Sequence, residues 1–263
     1  MSHPTSTDVH WRRLHAHATQ PYRRAGRFAW HFARGKLGRD PVFRWLVEQG
    51  QIAAGHRRVL DIGCGQGLLA SLLSSMSQMQ AGAQWPSHWS PTPQAPSYTG
   101  IELMSRDVER AERSIGHLRP APAFVCADMC STVLPPSDLV VILDVLHYVD
   151  PAAQEQVLVR VREALAAGAA DAGPGAAPPR LLLRVGDSAR ALGYSISQWV
   201  DHTVTRVRGH RVPPTWGRPL SDWIGQLERL GFAVRSEPMS QGTPFANVLL
   251  VADLKPTPIK DTI

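Results

Sequence analysis

The sequence predicts a doubly wound α/β fold: a seven-stranded sheet, parallel except for its last strand in a C-terminal hairpin, with helices on both faces. From Val59 onward, short apolar runs alternate with segments of helical periodicity, which indicates successive βαβ units. Near the C-terminus, two further strand-like runs flank Gly242-Thr243-Pro244, a turn sequence that predicts an antiparallel pair. A parallel sheet closed by a hairpin follows from these two patterns.

Five apolar runs are the candidate parallel strands, and most are rich in Val, Ile or Leu. They cover residues 58–62, 98–102, 123–127, 139–144 and 181–185. The hairpin strands are predicted at 233–237 and 247–252. Between strands, Asp150 is a suitable N-cap before Pro151, and the spacing of the apolar residues that follow predicts a helix. A last helix is predicted after Ser221, ending at Gly231.

The chain divides by composition into three parts. Residues 1–50 are predicted to form a basic and aromatic helical cap, residues 51–254 the α/β domain, and residues 255–263 a tail. Within the domain, residues 76–97 are interpreted as an insertion and residues 166–179 as a linker, because Ser, Pro and Gln dominate the first and Ala, Gly and Pro the second. Neither segment is expected to bury much side chain, although Trp85 and Trp89 leave open that the insertion folds over a ligand.

Overall composition is that of a globular protein. Of 263 residues, 43% are hydrophobic and 19% charged, and no apolar run approaches the roughly 18 residues needed to cross a bilayer. The N-terminus has no apolar segment of the secretory type, so a cytoplasmic protein is expected. Three cysteines, Cys64, Cys126 and Cys130, are too few for a disulfide framework and are expected to be reduced, and no metal site is predicted.

The net charge of +6 is concentrated at the N-terminus, where residues 1–60 hold 11 Lys/Arg against three acids. Such an excess indicates either a solvated helical face or attraction to an acidic carrier, a membrane surface or nucleic acid. The same region interleaves arginines with apolar side chains, and these predict either packing against the domain or a substrate lid. The apolar side chains are Phe28, Trp30, Phe32, Phe43, Trp45 and Leu46.

The first predicted strand runs into Asp61-Ile62-Gly63-Cys64-Gly65-Gln66-Gly67. Here Gly63 would allow a sharp turn, Gly65 a close approach of backbone to ligand, and Gly67 the start of a helix against the strand. The spacing is G-x-G-x-G, whereas dinucleotide sites use G-x-G-x-x-G, so a nicotinamide cofactor is disfavoured. No Gly-Lys-Ser/Thr follows, which excludes a P-loop.

At these residues the sequence resembles the class I methyltransferases that use S-adenosylmethionine (SAM) and release S-adenosylhomocysteine (SAH). The family's first motif is an acid, an apolar residue and G-x-G-x-G, which residues 61–67 match. Its second is an acid at the end of strand two that accepts the ribose hydroxyls, which Glu102 fits. Asp128 and Met129 resemble the adenine site after strand three. The cofactor-binding residues implied by this resemblance are Asp61, Gly63, Cys64, Gly65, Gly67, Glu102, Leu103, Asp128, Met129 and Leu143.

The segment Leu143-Asp144-Val145-Leu146-His147 resembles the family's wall around the methionine end and the methyl acceptor. His147 is the first candidate for a general base, with packing or a backbone hydrogen bond as the structural alternative. Asp144 is the second catalytic candidate, although shaping the cofactor end suits it better than proton removal. Tyr194, Trp199 and His202 follow strand five, in a region that commonly contacts the acceptor in this family.

The acceptor is expected to be a small molecule or a group bound to an acyl carrier. DNA-base enzymes resembling this fold have Pro-Pro-aromatic after strand four, which this chain lacks, and no RNA-binding module is recognisable. An RNA methyltransferase and a non-catalytic SAM-binding scaffold remain the alternatives. Residues 32–37, 142–150 and 197–201 also look like bacterial methyltransferases associated with aryl polyene pigments. That resemblance implies a hydroxyphenyl polyene, or its precursor on a carrier, as acceptor.

Overall fold

A seven-stranded sheet forms the centre of the computed structural model, which describes residues 6–94, 96–173, 175–188, 215–239 and 247–256. Its strands are β1 (Arg58–Ile62), β2 (Ser97–Glu102), β3 (Ala123–Cys126), β4 (Leu139–Leu143), β5 (Arg180–Gly186), β6 (Phe232–Pro238) and β7 (Asn247–Leu254). The spatial order is β3-β2-β1-β4-β5-β7-β6. β7 is antiparallel to both β5 and β6, while the remaining pairs are parallel. The predicted topology is confirmed. Each strand begins and ends within two residues of the predicted limits.

Seven α-helices accompany the sheet in the part of the chain that is described. They are α1 (Ser6–Thr19), α2 (Arg27–Arg39), α3 (Pro41–Glu48), α4 (Leu68–Ala81), α5 (Ser105–Ile115), α6 (Pro151–Ala170) and α7 (Leu220–Arg229). A 3₁₀ segment, Gln20–Ala25, joins α1 to α2, and a second, Leu146–Tyr148, follows β4. The predicted N-cap of α6 is confirmed, since Asp150 accepts a hydrogen bond from the backbone N–H of Ala153 at 2.9 Å.

The two faces of the sheet enter two separate hydrophobic clusters, because successive strand residues point to opposite faces. Val59, Val141 and Leu182 pack with the apolar faces of α1 to α4. Leu60 and Leu183 pack on the other face with α6 and α7. Helices therefore cover both faces, as predicted, and the carboxyl ends of the parallel strands converge on one edge. None of the helices described is both long and apolar enough to span a bilayer.

The N-terminal aromatic residues serve mainly as packing groups. Phe43 and Leu46 are buried, and Trp30, Phe32 and Trp45 are partly buried against the first cluster. Phe28 is the exception, with 55% of its surface exposed. The packing interpretation thus holds for most of the stripe, and α1 to α3 share their core with α4.

The expectation of little buried side chain is wrong for residues 76–97 but agrees with residues 166–179, of which only Gly168 is buried among those described. α4 continues to Ala81 and buries Met76 and Met79, and Trp89 is buried beyond it, with its ring edge against His10 of α1. Helix α6 likewise continues to Ala170. On it, a side chain at Gly168 would come within 2.0 Å of the Ser137 carbonyl oxygen, so the helix lies directly on the turn before β4.

The start of α7 is also corrected. Ser221 was expected to precede the helix, but α7 begins at Leu220, with Pro219 as the N-cap residue. The Asp187 side chain accepts a hydrogen bond from the Leu220 N–H at 3.2 Å. The helix start is therefore capped by a residue 33 positions earlier in the chain. The turn Gly242-Thr243-Pro244 lies outside the described residues.

Candidate functional site

The glycine loop lies between β1 and α4, at the carboxyl edge of the sheet. Gly63, Gly65 and Gly67 have φ of +75°, +55° and +71°, which is left-handed backbone that favours glycine. A Cβ on Gly63 would stand 2.3 Å from the side chain of Val145, and one on Gly67 would stand 2.8 Å from the ring of Phe124. A Cβ on Gly65 would meet no atom within 4 Å. The loop therefore packs tightly at its two ends and presents open space at its centre.

Glu102, at the end of β2, connects the loop to the neighbouring strand. Its carboxylate accepts hydrogen bonds from the N–H groups of Gly65 and Met104, each at 2.9 Å. Burial raises the pKa of Glu102, and these two backbone donors lower it in part. Leu103 follows with 65% of its surface exposed. An acidic group and an exposed apolar group thus stand beside the open centre of the loop.

Asp61 is buried at the end of β1, under the loop. The Tyr98 hydroxyl donates a hydrogen bond to its carboxylate at 2.5 Å. Burial, with a smaller contribution from the negative charge of Glu102, raises the pKa of Asp61 to about 7 against the opposing effect of the Tyr98 hydrogen bond. Cys64, also buried, has a thiol whose pKa is raised by burial and by the charges of Asp61 and Glu102. These two side chains support the loop from within.

The turn after β3 contains Asp128 and Met129. Asp128 is exposed, and one of its carboxylate oxygens accepts a hydrogen bond from the Cys130 N–H at 2.8 Å. Arg160, on α6, donates to the carbonyl oxygens of Met129 and Cys130, each at 2.9 Å. The turn is thereby fixed from outside by a residue that the sequence analysis missed. Only its place on α6, some 30 residues later in the chain, brings it there.

The segment after β4 forms the facing wall. Asp144 has φ of +60°, and Arg184 on β5 donates hydrogen bonds to both of its carboxylate oxygens. Asp144 is therefore engaged in an ion pair at this wall. The structure joins that pair to Asp40, at the junction of α2 and α3, which the sequence analysis did not identify.

His147 lies in the 3₁₀ segment after β4, with its ring centroid 4.2 Å from that of Tyr148. Burial lowers the pKa of His147, and the charge of Asp144 opposes this only in part. The segment is tied to its surroundings by buried Gln154, whose amide nitrogen lies 3.0–3.2 Å from the carbonyl oxygens of Leu146, Val149 and Trp216. Tyr194, Trp199 and His202 lie outside the described residues.

The N-terminal helical region also contacts the glycine loop at the carboxyl edge of the sheet. Tyr22 is fully buried and donates a hydrogen bond to the Gln66 carbonyl of the glycine loop at 3.0 Å. Arg23 and Arg34 each place a guanidinium group 4.7 Å from the ring centroid of Trp30, on α2. No three His, Cys, Asp or Glu side chains in the described ranges are grouped so as to hold a metal ion.

Comparison with solved structures identifies this arrangement as the class I SAM-dependent methyltransferase fold. Magnesium protoporphyrin IX methyltransferase from Synechocystis PCC 6803, solved with bound SAH, superposes with a TM-score of 0.54 at 19% identity, over 94% of each chain. Human N-acetylserotonin methyltransferase in complex with SAM gives 0.52 at 15% identity, over 95% of this chain and 68% of the other. Mitomycin 7-O-methyltransferase gives 0.52 at 19%, over 95% and 69%. No family model and no curated protein sequence matches.

Proposed function

We propose that this protein transfers a methyl group from SAM to a small-molecule acceptor. The observation that carries the proposal is the open centre of the glycine loop. Gly65 has positive φ, nothing stands where its Cβ would be, and the Glu102 carboxylate is hydrogen-bonded to its N–H. This cradle lies at the carboxyl edge of a sheet with the class I methyltransferase topology, where open α/β sheets bind ligands.

The described residues fit such a cofactor part by part. The Glu102 carboxylate would accept hydrogen bonds from the ribose hydroxyls, and the exposed Asp128 carboxylate would accept one from the adenine amine. Met129 would face the adenine ring and Leu143 the methionine end. Asp61 and Cys64 would support the loop from below, as their burial indicates.

When bound, SAM supplies an electrophilic methyl carbon on a sulfonium centre and leaves as SAH. The barrier to such an in-line transfer falls mainly through positioning, so the chain's task is to orient the acceptor and exclude water. His147 would take a proton from the acceptor; burial lowers its pKa, which favours the neutral imidazole that a general base needs. Asp144, paired with Arg184, would shape the wall rather than accept the proton.

A small-molecule acceptor agrees with the named activities of the structural neighbours, among them a mitomycin and an N-acetylserotonin methyltransferase. More narrowly, we propose an aromatic hydroxyl group of the aryl polyene type, free or bound to an acidic acyl carrier in the cytoplasm. Arg23, Arg24 and Arg27 support a carrier, because all three are exposed and no carboxylate among the described residues forms an ion pair with them.

The cofactor proposal is tested by titration calorimetry of the full chain with SAH. Wild type should bind, and Glu102→Ala should weaken binding at least about tenfold, the cost of one charge-assisted hydrogen bond. Glu163→Ala, which removes an exposed carboxylate of α6, is the matched control and should bind as wild type does. No heat with either SAM or SAH would remove the proposed function. Unchanged binding by Glu102→Ala would remove only the ribose assignment.

The acceptor is tested by mass spectrometry after incubation with SAM and hydroxyphenyl acids, free or loaded on a carrier. Methylation of the loaded acid should fall on charge reversal at Arg23, Arg24 or Arg27, and should not fall for Arg229→Glu, an exposed control on α7. Equal methylation by all these variants would contradict carrier docking on this face. Methylation of RNA instead, with steep salt dependence, would replace the small-molecule proposal.

A further inference from the structure

Four charged side chains form a cluster where the N-terminal helices meet the carboxyl ends of β4 and β5. Arg184 donates from two nitrogens to the Asp40 carboxylate, at 2.5 and 2.7 Å, and from two to the Asp144 carboxylate. The Lys36 ammonium lies 2.7 Å from Asp40 and 3.8 Å from Asp144. This Arg184 cluster therefore balances two cations with two carboxylates.

The cluster is buried at its centre. Arg184 is only 2% exposed, a burial that a guanidinium group tolerates only when its donors are paired. Although burial opposes it, pairing with Arg184 and Lys36 lowers the pKa of Asp40 well below its usual range, so that carboxylate stays ionised. Asp40 also caps α3, accepting from the Val42 N–H at 3.1 Å. The anchor of the cluster is thus fixed by the helix it caps.

The other end of the cluster holds an unusual backbone. Asp144 has φ of +60°, a left-handed conformation that residues with a Cβ, aspartate included, adopt less readily than glycine. Its N–H points to the Arg184 carbonyl at 3.4 Å, while its carboxylate is held by the Arg184 side chain. The next residue, Val145, packs so closely on Gly63 that any side chain at Gly63 would collide with it. The left-handed turn at Asp144 therefore sets where the wall after β4 meets the glycine loop.

We propose that Arg184 is a positioning residue for the methyl-transfer site. Anchored on Asp40, it holds Asp144 in the left-handed conformation and so keeps Val145 to His147 against the glycine loop. This proposal takes the identity of the ligand, SAM or SAH, from the function proposed above. The alternative is that the cluster only stabilises the fold, in which case its loss would lower stability without changing the site.

A double-mutant cycle on the full chain separates these two roles, since glycine adopts left-handed backbone without help. Arg184→Met should weaken SAH binding about tenfold in calorimetry, because the turn relaxes when its carboxylate is released. In an Asp144→Gly background the same Arg184→Met change should weaken binding less than about threefold. Arg180→Met is the matched control: Arg180 lies at the opposite end of β5, paired with Asp253 at 2.6 Å, and its loss should leave SAH affinity unchanged.

Hydrogen exchange of the free protein gives a readout that does not need the ligand. The Tyr148 N–H donates to the Val145 carbonyl and the Val149 N–H to that of Leu146. Arg184→Met should speed exchange of these two amides relative to the amides of α6, whereas Arg180→Met should not. Wild type failing to bind SAH, with local exchange still faster in Arg184→Met, would overturn the proposed function alone. Unchanged SAH affinity and unchanged local exchange in folded Arg184→Met would overturn the positioning role.

Discussion

Asp61 is the residue whose replacement tests the electrostatics of the glycine loop most directly. Its usual pKa of 3.8 is raised to about 7, first by burial and then by the charge of Glu102. A carboxyl group whose pKa is raised in the folded state does not lower the free energy of unfolding at pH values below its unfolded pKa, because both states are then protonated. Between pH 4 and 7 the unfolded chain ionises first, so stability falls as pH rises, and above pH 7 the penalty is constant.

The expected stability penalty follows from the difference between the usual pKa of Asp61, 3.8, and its raised value of about 7. At about 1.4 kcal/mol for each pH unit between them, the penalty is on the order of 4 kcal/mol when fully developed. Asp61→Asn removes the charge but keeps an oxygen to accept from Tyr98. The free energy of unfolding of the variant should therefore increase relative to that of wild type, by up to about 4 kcal/mol, as pH rises from 4 to 8.

Chemical denaturation at half-unit pH steps measures the difference in free energy of unfolding between the two proteins. Any pH-independent effect of the introduced amide on stability cancels, because only the change of this difference with pH is used. Tyr98→Phe provides a second check: the Tyr98 hydrogen bond lowers the pKa of Asp61, so its loss should extend the window of falling stability to higher pH. Parallel pH profiles for wild type and Asp61→Asn would show that Asp61 is ionised in the folded protein at neutral pH, which would refute the burial argument.

Three further substitutions have distinct expected outcomes. Gly65→Ala, at φ +55° with open space around it, should cost only about 1 kcal/mol in denaturation yet weaken SAH binding at least about tenfold, since its methyl group would occupy the ligand's space; unaltered affinity would place the ligand elsewhere. Arg160→Ala releases the carbonyl of Met129 and should raise KM for SAM several-fold with kcat little changed; a fall in kcat alone would contradict its assignment to cofactor binding. Gly168→Ala should lower the free energy of unfolding by about 1–3 kcal/mol, because its Cβ would collide with the Ser137 carbonyl, while leaving SAH affinity intact; an undiminished Tm would argue against that contact.

Sequence patterns among neighbouring residues predicted the sheet and the glycine loop well. Strands β1, β4 and β5 are buried on both faces and leave continuous apolar runs. All seven predicted strands begin and end within two residues of the observed ones. The three glycines of the loop adopt positive φ, as their spacing after a strand indicated. In both cases the information lies within about ten residues of the feature.

Features that depend on tertiary contacts were not predictable in this way. Asp187 caps α7 from 33 residues away, so the local sequence suggested Ser221 instead. The polar composition of the second half of α4 indicated a loop, because the burial of Met79 depends on a surface provided by other elements. The partnership of Asp40 with Arg184 joins residues 144 positions apart, and no spacing rule indicates it.

The same topology has a consequence for the order in which the chain is made. β1 precedes the other strands of this sheet in the chain and lies inside it, with β2 and β3 on one side and β4 and β5 on the other. Helices α1 to α3 emerge earlier still, yet Ala18 bonds through its carbonyl to Ser71 of α4, and Tyr22 to Gln66. Helices α1 to α3 therefore leave the ribosome before their packing partner α4 does. Their docking must await the glycine loop and α4, which supply these partners.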